Sequence, residues 1–144
     1  PTTPLRNPVI LNASIKKYFK IKKEITSLRS MHELSESPYK FFKINDKGFC
    51  EGFFEDYEGI KDYTNLPRQA FPKTFHPNGY VDIIKKEVIN AGKTYGDKIY
   101  PTITEYVTEI DTLYELKIIE NELKINGNLL IDLLQYSGKE LIIA

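Results

Sequence analysis

Glu109 and Asp111 stand two residues apart in the stretch TEIDT. In an extended chain, residues two apart point to the same face, so the two carboxylates would converge while Ile110 turns towards the core. Paired carboxylates, completed by phosphate oxygens and water, are the donors that Mg²⁺ takes. The same stretch also reads as a helix start, with Asp111 or Thr112 as N-cap and Glu115 in the first turn. The two readings are compatible. A second candidate is PTTPLR, residues 1–6, where the hydroxyls of Thr2 and Thr3 precede a helix and could meet an anion or a hydroxyl. Loops ahead of helices often have this composition without binding anything. A third is Lys40 in SPYKFFKI, which either faces solvent or reaches a carboxylate or phosphate. The fourth is NLPRQAFPKTFHPNGYVDI, residues 65–83. Arg68 beside Gln69 offers a planar cation and an amide, suited to an anionic oxygen ligand. Asn78-Gly79 reads as a tight turn before a strand, and the plain alternative for the segment is a polar loop with a hairpin turn.

These residues need elements to place them. Asn7-Pro8 is a helix opening, an N-cap followed by proline at the first helical position. Val9, Ile10, Ala13, Ile15, Tyr18 and Phe19 allow an amphipathic helix to about Lys20. Strands are expected over residues 24–31, over 39–44, and over 49–55 as a hairpin partner after the turn NDKG. Residues 56–77 are irregular, and a loop of that length in a compact domain is usually functional or an interface arm. GYVDIIKK reads as a strand, KEVINAG as a short helix closed by Gly92, and KIYPTI as a strand that Pro101 pushes towards a sheet edge. A helix over about 112–124 would carry Leu113, Leu116, Ile119 and Leu123 on one stripe. The tail from residue 125 is apolar and suits either a short helix or a last strand. The pattern is an α/β layer carrying a β-rich arm.

Composition narrows the function classes. With 144 residues, 41% apolar and 28% charged, the chain suits one folded domain. Lys plus Arg and Asp plus Glu are equal at 20 each, which argues against bulk nucleic-acid binding and against a polybasic membrane anchor. The aromatic stretch GFFEDYEGIKDY would otherwise suggest base stacking; on this neutral background it reads as packing or an interface. Cys50 is the one cysteine, expected to be an inert packing residue and to accord with a reducing, cytoplasmic setting. So few Cys and His ligands argue against zinc. No phosphate-binding glycine loop, dinucleotide fingerprint or nucleophile elbow is present. No apolar run approaches a membrane span, and no signal peptide is visible. The opening on PTTPLRNP, without an initiator methionine, reads as a start in the middle of a longer protein.

Taken in order, PTTPLR, SPYKFFKI, PRQAFPKTFHPNGYVDI and TEIDTLYELKIIENEL resemble the C-terminal part of the acylneuraminate cytidylyltransferases, the CMP-sialic acid synthetases. The similarity runs to about residue 124. It implies a partial Rossmann-like nucleotide-diphospho-sugar transferase fold, one cytidylyltransferase domain with residues about 32–77 as a dimerisation arm swapped across a homodimer. It implies a cytoplasmic enzyme joining CTP to a nonulosonic sugar acid with release of pyrophosphate. Thr2 and Thr3 would contact the sugar acid, Asn78 would line its pocket, Lys40 and Arg68 would reach the neighbouring subunit's site from the arm, and Gln69 would bind substrate. Asp111 and Glu109 would hold Mg²⁺. Three positions depart from the family pattern: Glu109 stands for an Asp, Asp82 for a Tyr, and His76 for an Arg of some relatives. The Arg-, Gly- and Lys-rich nucleotide loop of the family is not among these residues. The alternative is a non-catalytic dimerisation or sugar-binding module.

Overall fold

Asn7 opens the first helix in the expected way. Its backbone is extended and its Oδ1 accepts the Val9 N–H at 2.8 Å, satisfying one of the donors a helix start leaves over. From there the computed structural model describes residues 2–127. They form two compact units: the chain up to His32 with the chain from Pro77 onward, and the segment Glu33–His76. The molecule mixes helices and strands throughout.

The first unit holds helix α1 (Pro8–Ile21), strand β1 (Ser27–Glu33), most of strand β4 (Phe75–Ile84), helix α2 (Lys86–Asn90), strand β5 (Ile99–Ile103) and helix α3 (Leu113–Asn126). Strand order in the sheet is β4-β1-β5, with β1 and β5 parallel and Ser27 opposite Ile99. β1 is the central strand and is buried accordingly, with Leu28, Ser27 and Ser30 fully enclosed. The Ser30 Oγ accepts the Val81 N–H at 2.8 Å. Pro101 sits on β5, at the sheet edge where a missing N–H costs least. Ile25, Leu28, Tyr80, Val88 and Ile119 form the apolar core of this unit.

α1 forms where its capping predicts, yet Val9, Ile15 and Phe19 are exposed and the one buried residue is Ser14. Ser14 returns its hydroxyl to the Ile10 carbonyl at 2.8 Å, and the helix leaves much of its apolar stripe outward. α3 behaves alike: Ile119 is buried, while Leu113 is exposed.

The start of α3 is a reciprocal cap. Thr112 Oγ1 accepts the Glu115 N–H at 3.2 Å, and Glu115 Oε2 accepts the backbone N–H groups of Thr112 at 2.8 Å and Asp111 at 3.0 Å. The Thr112 hydroxyl first, and the Asp111 amide after it, hold the Glu115 carboxyl below its ordinary range. A depressed carboxyl contributes stability above its unfolded pKa and loses it as pH falls through its folded pKa. The first turn of α3 is therefore expected to loosen on acidification below the ordinary carboxylate range. Amide exchange of residues 113–116 followed against pH checks this, with Glu115→Gln flattening the dependence. Thr112→Ala is expected to cost about 1 kcal/mol in unfolding free energy.

The second unit, Glu33–His76, holds the antiparallel hairpin of β2 (Phe42–Ile44) and β3 (Cys50–Gly52), with Ile44 opposite Cys50. Three 3-10 turns, Pro38–Lys40, Tyr63–Asn65 and Arg68–Ala70, carry most of the rest. Tyr39 stacks flat on Phe71 at 5.1 Å between ring centres, and Tyr57 and Phe54 close round it. Tyr63 is enclosed, its hydroxyl donating to the Phe54 carbonyl at 2.8 Å and accepting the Phe54 N–H at 2.7 Å. Tyr39, Phe54, Tyr57 and Phe71 thus pack on one another, while Phe53 and Phe54 stay partly open to solvent.

Several expectations need correcting. Residues 39–44 are not one strand: Lys40 ends a 3-10 turn, because Pro38 sets φ for a turn and the Phe41 N–H closes it on the Pro38 carbonyl. Asn78-Gly79 is no hairpin turn. β4 runs straight through it, and Gly79 takes φ 60 within the strand, a conformation glycine adopts cheaply and G1-type bulges use. The segment 104–110 carries no strand assignment, so the extended arrangement expected to align Glu109 with Asp111 lacks a ladder to hold it. Ile110 is only half-buried. Cys50 is exposed on the hairpin and is no packing residue. The tail's expected last elements fall outside the described residues beyond Gly127.

Candidate functional site

Three separate stretches of the first unit meet at Gly79. Thr3, 1% exposed, donates its hydroxyl to the Asn78 carbonyl at 3.0 Å. The Thr2 carbonyl accepts the Ile110 N–H at 2.7 Å, which ties the N-terminal loop to the segment bearing Glu109 and Asp111. A Cβ placed on Gly79 would lie 3.4 Å from Thr3 Oγ1 and 3.6 Å from Glu109 Oε1. The bare glycine therefore leaves a methyl-sized gap, a small cradle bounded by a hydroxyl and a carboxylate. Arg6 closes the back of it: its Nε donates to the Thr3 carbonyl at 2.9 Å and its Nη2 to the Gly79 carbonyl at 3.3 Å.

Asn78 is as deeply buried as Thr3 and its amide is committed. Nδ2 donates to Thr104 Oγ1 at 2.7 Å, and Oδ1 accepts the Tyr80 N–H at 3.3 Å. The Tyr80 hydroxyl in turn accepts the Asn7 N–H at the start of α1. Asn78 thus shapes the cradle through its main chain and holds the surrounding framework through its side chain. Arg6, Tyr80 and Thr104 were not singled out in the sequence; Arg6 alone had a local signal, closing the PTTPLR stretch. Tyr80 and Thr104 also line a neighbouring cleft of about 290 Å³ with Leu5, Asn7, Ile10 and Tyr106.

Asp111 is exposed and its backbone N–H serves the α3 cap. Glu109 is half-buried. Among the described residues, no group of three or more His, Cys, Asp or Glu side chains gathers as a metal cage. Two carboxylates are nonetheless a sufficient protein share for Mg²⁺, which usually keeps waters and takes substrate phosphates for the remainder. The donor chemistry of Glu109 and Asp111 fits that ion.

Asp82 is already satisfied. It accepts the Tyr95 hydroxyl at 2.9 Å and pairs with Arg29 Nε at 3.7 Å, while the Arg29 guanidinium lies over the Tyr95 ring at 4.0 Å. Partial burial first, and the Asp82 carboxylate second, push the Tyr95 phenol above its ordinary range. A negative charge with these partners projects little repulsion towards an acidic ligand.

The other expected residues belong to the second unit. Lys40 Nζ donates to the Thr64 carbonyl at 3.2 Å. Arg68 is exposed, with Nη2 on the Leu34 carbonyl at 3.3 Å, and with Gln69 it lines an open cleft of about 350 Å³. Lys73, paired with Glu33 at 2.9 Å, and the apolar Phe71 and Pro72 complete its wall. Lys40 is not among the lining residues. Within each unit, then, Thr3, Asn78 and Glu109 come together, and Arg68 joins Gln69.

No protein-family model matches the chain, and no curated protein matches it. No described helix is long and apolar enough to cross a membrane.

Proposed function

We propose that this chain carries the sugar-acid site and dimerisation arm of a cytidylyltransferase of the acylneuraminate type, on a Rossmann-like α/β fold. The reaction is attack of the anomeric hydroxyl of a nonulosonic sugar acid on the α-phosphorus of CTP. A P–O bond forms to the sugar, the bond to the β-phosphate oxygen breaks, and pyrophosphate leaves. The observation that carries the reading is the cradle at Gly79, where Thr3 and Glu109 converge from stretches more than 70 residues apart in the ordered set of resembling motifs.

On this reading Thr3 and Glu109 orient sugar hydroxyls, with Thr2 at the exposed lip. Asn78 fixes the pocket wall. Asp111 and Glu109 would hold Mg²⁺, which would supply charge neutralisation at the transferring phosphate. Arg68 and Gln69 present a cation and an amide from the arm of one subunit to the acid of the other, and Lys40 serves the same role from elsewhere on the arm. The satisfied charge of Asp82 leaves room for a carboxylated substrate. The protein works in the cytoplasm as a homodimer.

The test is pyrophosphate release from CTP by the protein, with Mg²⁺ and a panel of nonulosonic acids. Release with at least one acid is expected, and Asp111→Asn is expected to lower kcat about 100-fold or more, since the metal contributes several kcal/mol to such steps. Silence with every acid sinks the reading. Binding of the acid without turnover would favour the non-catalytic module instead.

A further inference from the structure

We infer that the Glu33–His76 unit carries an oxyanion site of its own, a cleft that takes the carboxylate of a small organic acid between Arg68 and Ser37. Every residue involved belongs to that one unit of one chain, so the site is independent of the sugar-acid reading above. The space is the open cleft of about 350 Å³ lined by Arg68, Gln69, Lys73, Glu33 and Ser37, with Phe71 on its apolar side.

Ser37 marks the cleft as more than a dent in the surface. It is 6% exposed, and its Oγ has no hydrogen-bond partner among the described residues. A buried hydroxyl left without a partner is costly, and native structures hold few of them. Local structure gives this one nothing to do. Ser37 precedes the turn Pro38–Lys40, where a serine ordinarily bends its hydroxyl onto a main-chain N–H, yet it makes no such bond. A donor left over at the wall of a cleft is matched by an acceptor brought into that cleft.

Arg68 supplies the charge. Its Nη2 is held on the Leu34 carbonyl at 3.3 Å, which steadies the guanidinium and leaves most of its N–H donors for a ligand. Lys73 pairs with Glu33 at 2.9 Å, so two cations and one carboxylate leave a single positive charge at the cleft. One positive charge, a planar guanidinium, an amide and a hydroxyl suit a singly charged planar carboxylate better than a dianionic phosphate. The frame is set before any ligand arrives. The Leu34 N–H meets the Thr74 carbonyl at 2.9 Å, and Phe71 is stacked on Tyr39.

The isotope-labelled chain is titrated with sodium acetate and, separately, with sodium phosphate, at constant ionic strength held with sodium chloride. The Arg68 Nε–H and Ser37 amide resonances are followed by NMR. Saturable shifts with acetate are expected, with weaker binding of phosphate. Ser37→Ala separates ligand contact from packing. The expected result is an acetate Kd raised about threefold to tenfold with a urea midpoint unchanged or higher, since the empty protein loses no bond. Arg68→Lys keeps the charge, loses the planar fork and is expected to raise the Kd at least as far. Shifts that stay linear with acetate, tighter binding of phosphate than of acetate, or an unchanged acetate Kd in either variant overturns the site. A lower urea midpoint in Ser37→Ala at unchanged Kd would assign Ser37 to packing alone and overturns it equally.

Discussion

Asn78→Ala is expected to lower the unfolding free energy by roughly 2–4 kcal/mol. The side chain is almost wholly enclosed and links two partners, the Tyr80 N–H and the Thr104 hydroxyl. Its removal strips the Tyr80 N–H of the acceptor it meets at 3.3 Å and Thr104 Oγ1 of the donor it meets at 2.7 Å, although the Thr104 hydroxyl keeps its own bond to the Glu105 carbonyl at 2.8 Å. A buried polar group left without a partner costs more than the net worth of the bond it lost. A cavity adds to this, because the strand on either side of Gly79 cannot collapse inward without moving the Thr3 contact. Asn78→Asp is nearly isosteric and still accepts from Tyr80, but it cannot donate to Thr104 while ionised and is expected to be no better. The urea midpoint should fall with the slope unchanged. A loss under about 0.5 kcal/mol, the size of an ordinary surface change, would mean that the Asn78 amide does not carry this framework.

Gly52→Ala is expected to destabilise the second unit by roughly 1–3 kcal/mol, the range for overpacking a well-filled interior. The added methyl would lie 2.9 Å from Tyr63 Cζ and 3.3 Å from Thr64 Cγ2, closer than unbonded carbons sit at rest. Tyr63 cannot yield: it is 1% exposed and its hydroxyl is held from both sides by the Phe54 backbone. The cost is therefore borne by the β2–β3 hairpin. Tyr63→Leu removes the obstructing ring and hydroxyl, so in that background Gly52→Ala is expected to cost little further. A double-mutant cycle measures this: a coupling near zero would place the methyl somewhere other than against Tyr63.

Local chemistry was legible where a residue acts on its own neighbours. Asn7-Pro8, Thr112 with Glu115, and Gly92 after α2 all cap or close helices as their types require. The hairpin after NDKG and the edge position of Pro101 follow from similarly short-range rules. What the sequence hid was set by tertiary partners. Asn78-Gly79 has the composition of a turn, yet its side chain is claimed by Thr104, 26 residues away, and the strand continues. Hydrophobic spacing in α1 marked a helix without marking its buried face, since Ser14 rather than Phe19 is enclosed. The candidate site was partly visible in Thr3, Asn78 and Glu109. Arg6 was harder to see because its work is done on backbone carbonyls, which leave no mark in a residue pattern. Asp82 looked like an uncompensated charge, and only the fold reveals Arg29 and Tyr95 as its partners.

The chain enters and leaves the Glu33–His76 unit at nearly one point. The Leu34 N–H meets the Thr74 carbonyl at 2.9 Å, Lys73 pairs with Glu33, and Arg68 bonds the Leu34 carbonyl. A segment whose ends are already clipped together behaves as a detachable cassette. Because loop-closure entropy grows only with the logarithm of length, such a cassette can be lengthened, shortened or exchanged at small thermodynamic cost to the rest of the chain. That gives evolution a place to rewrite what the segment presents.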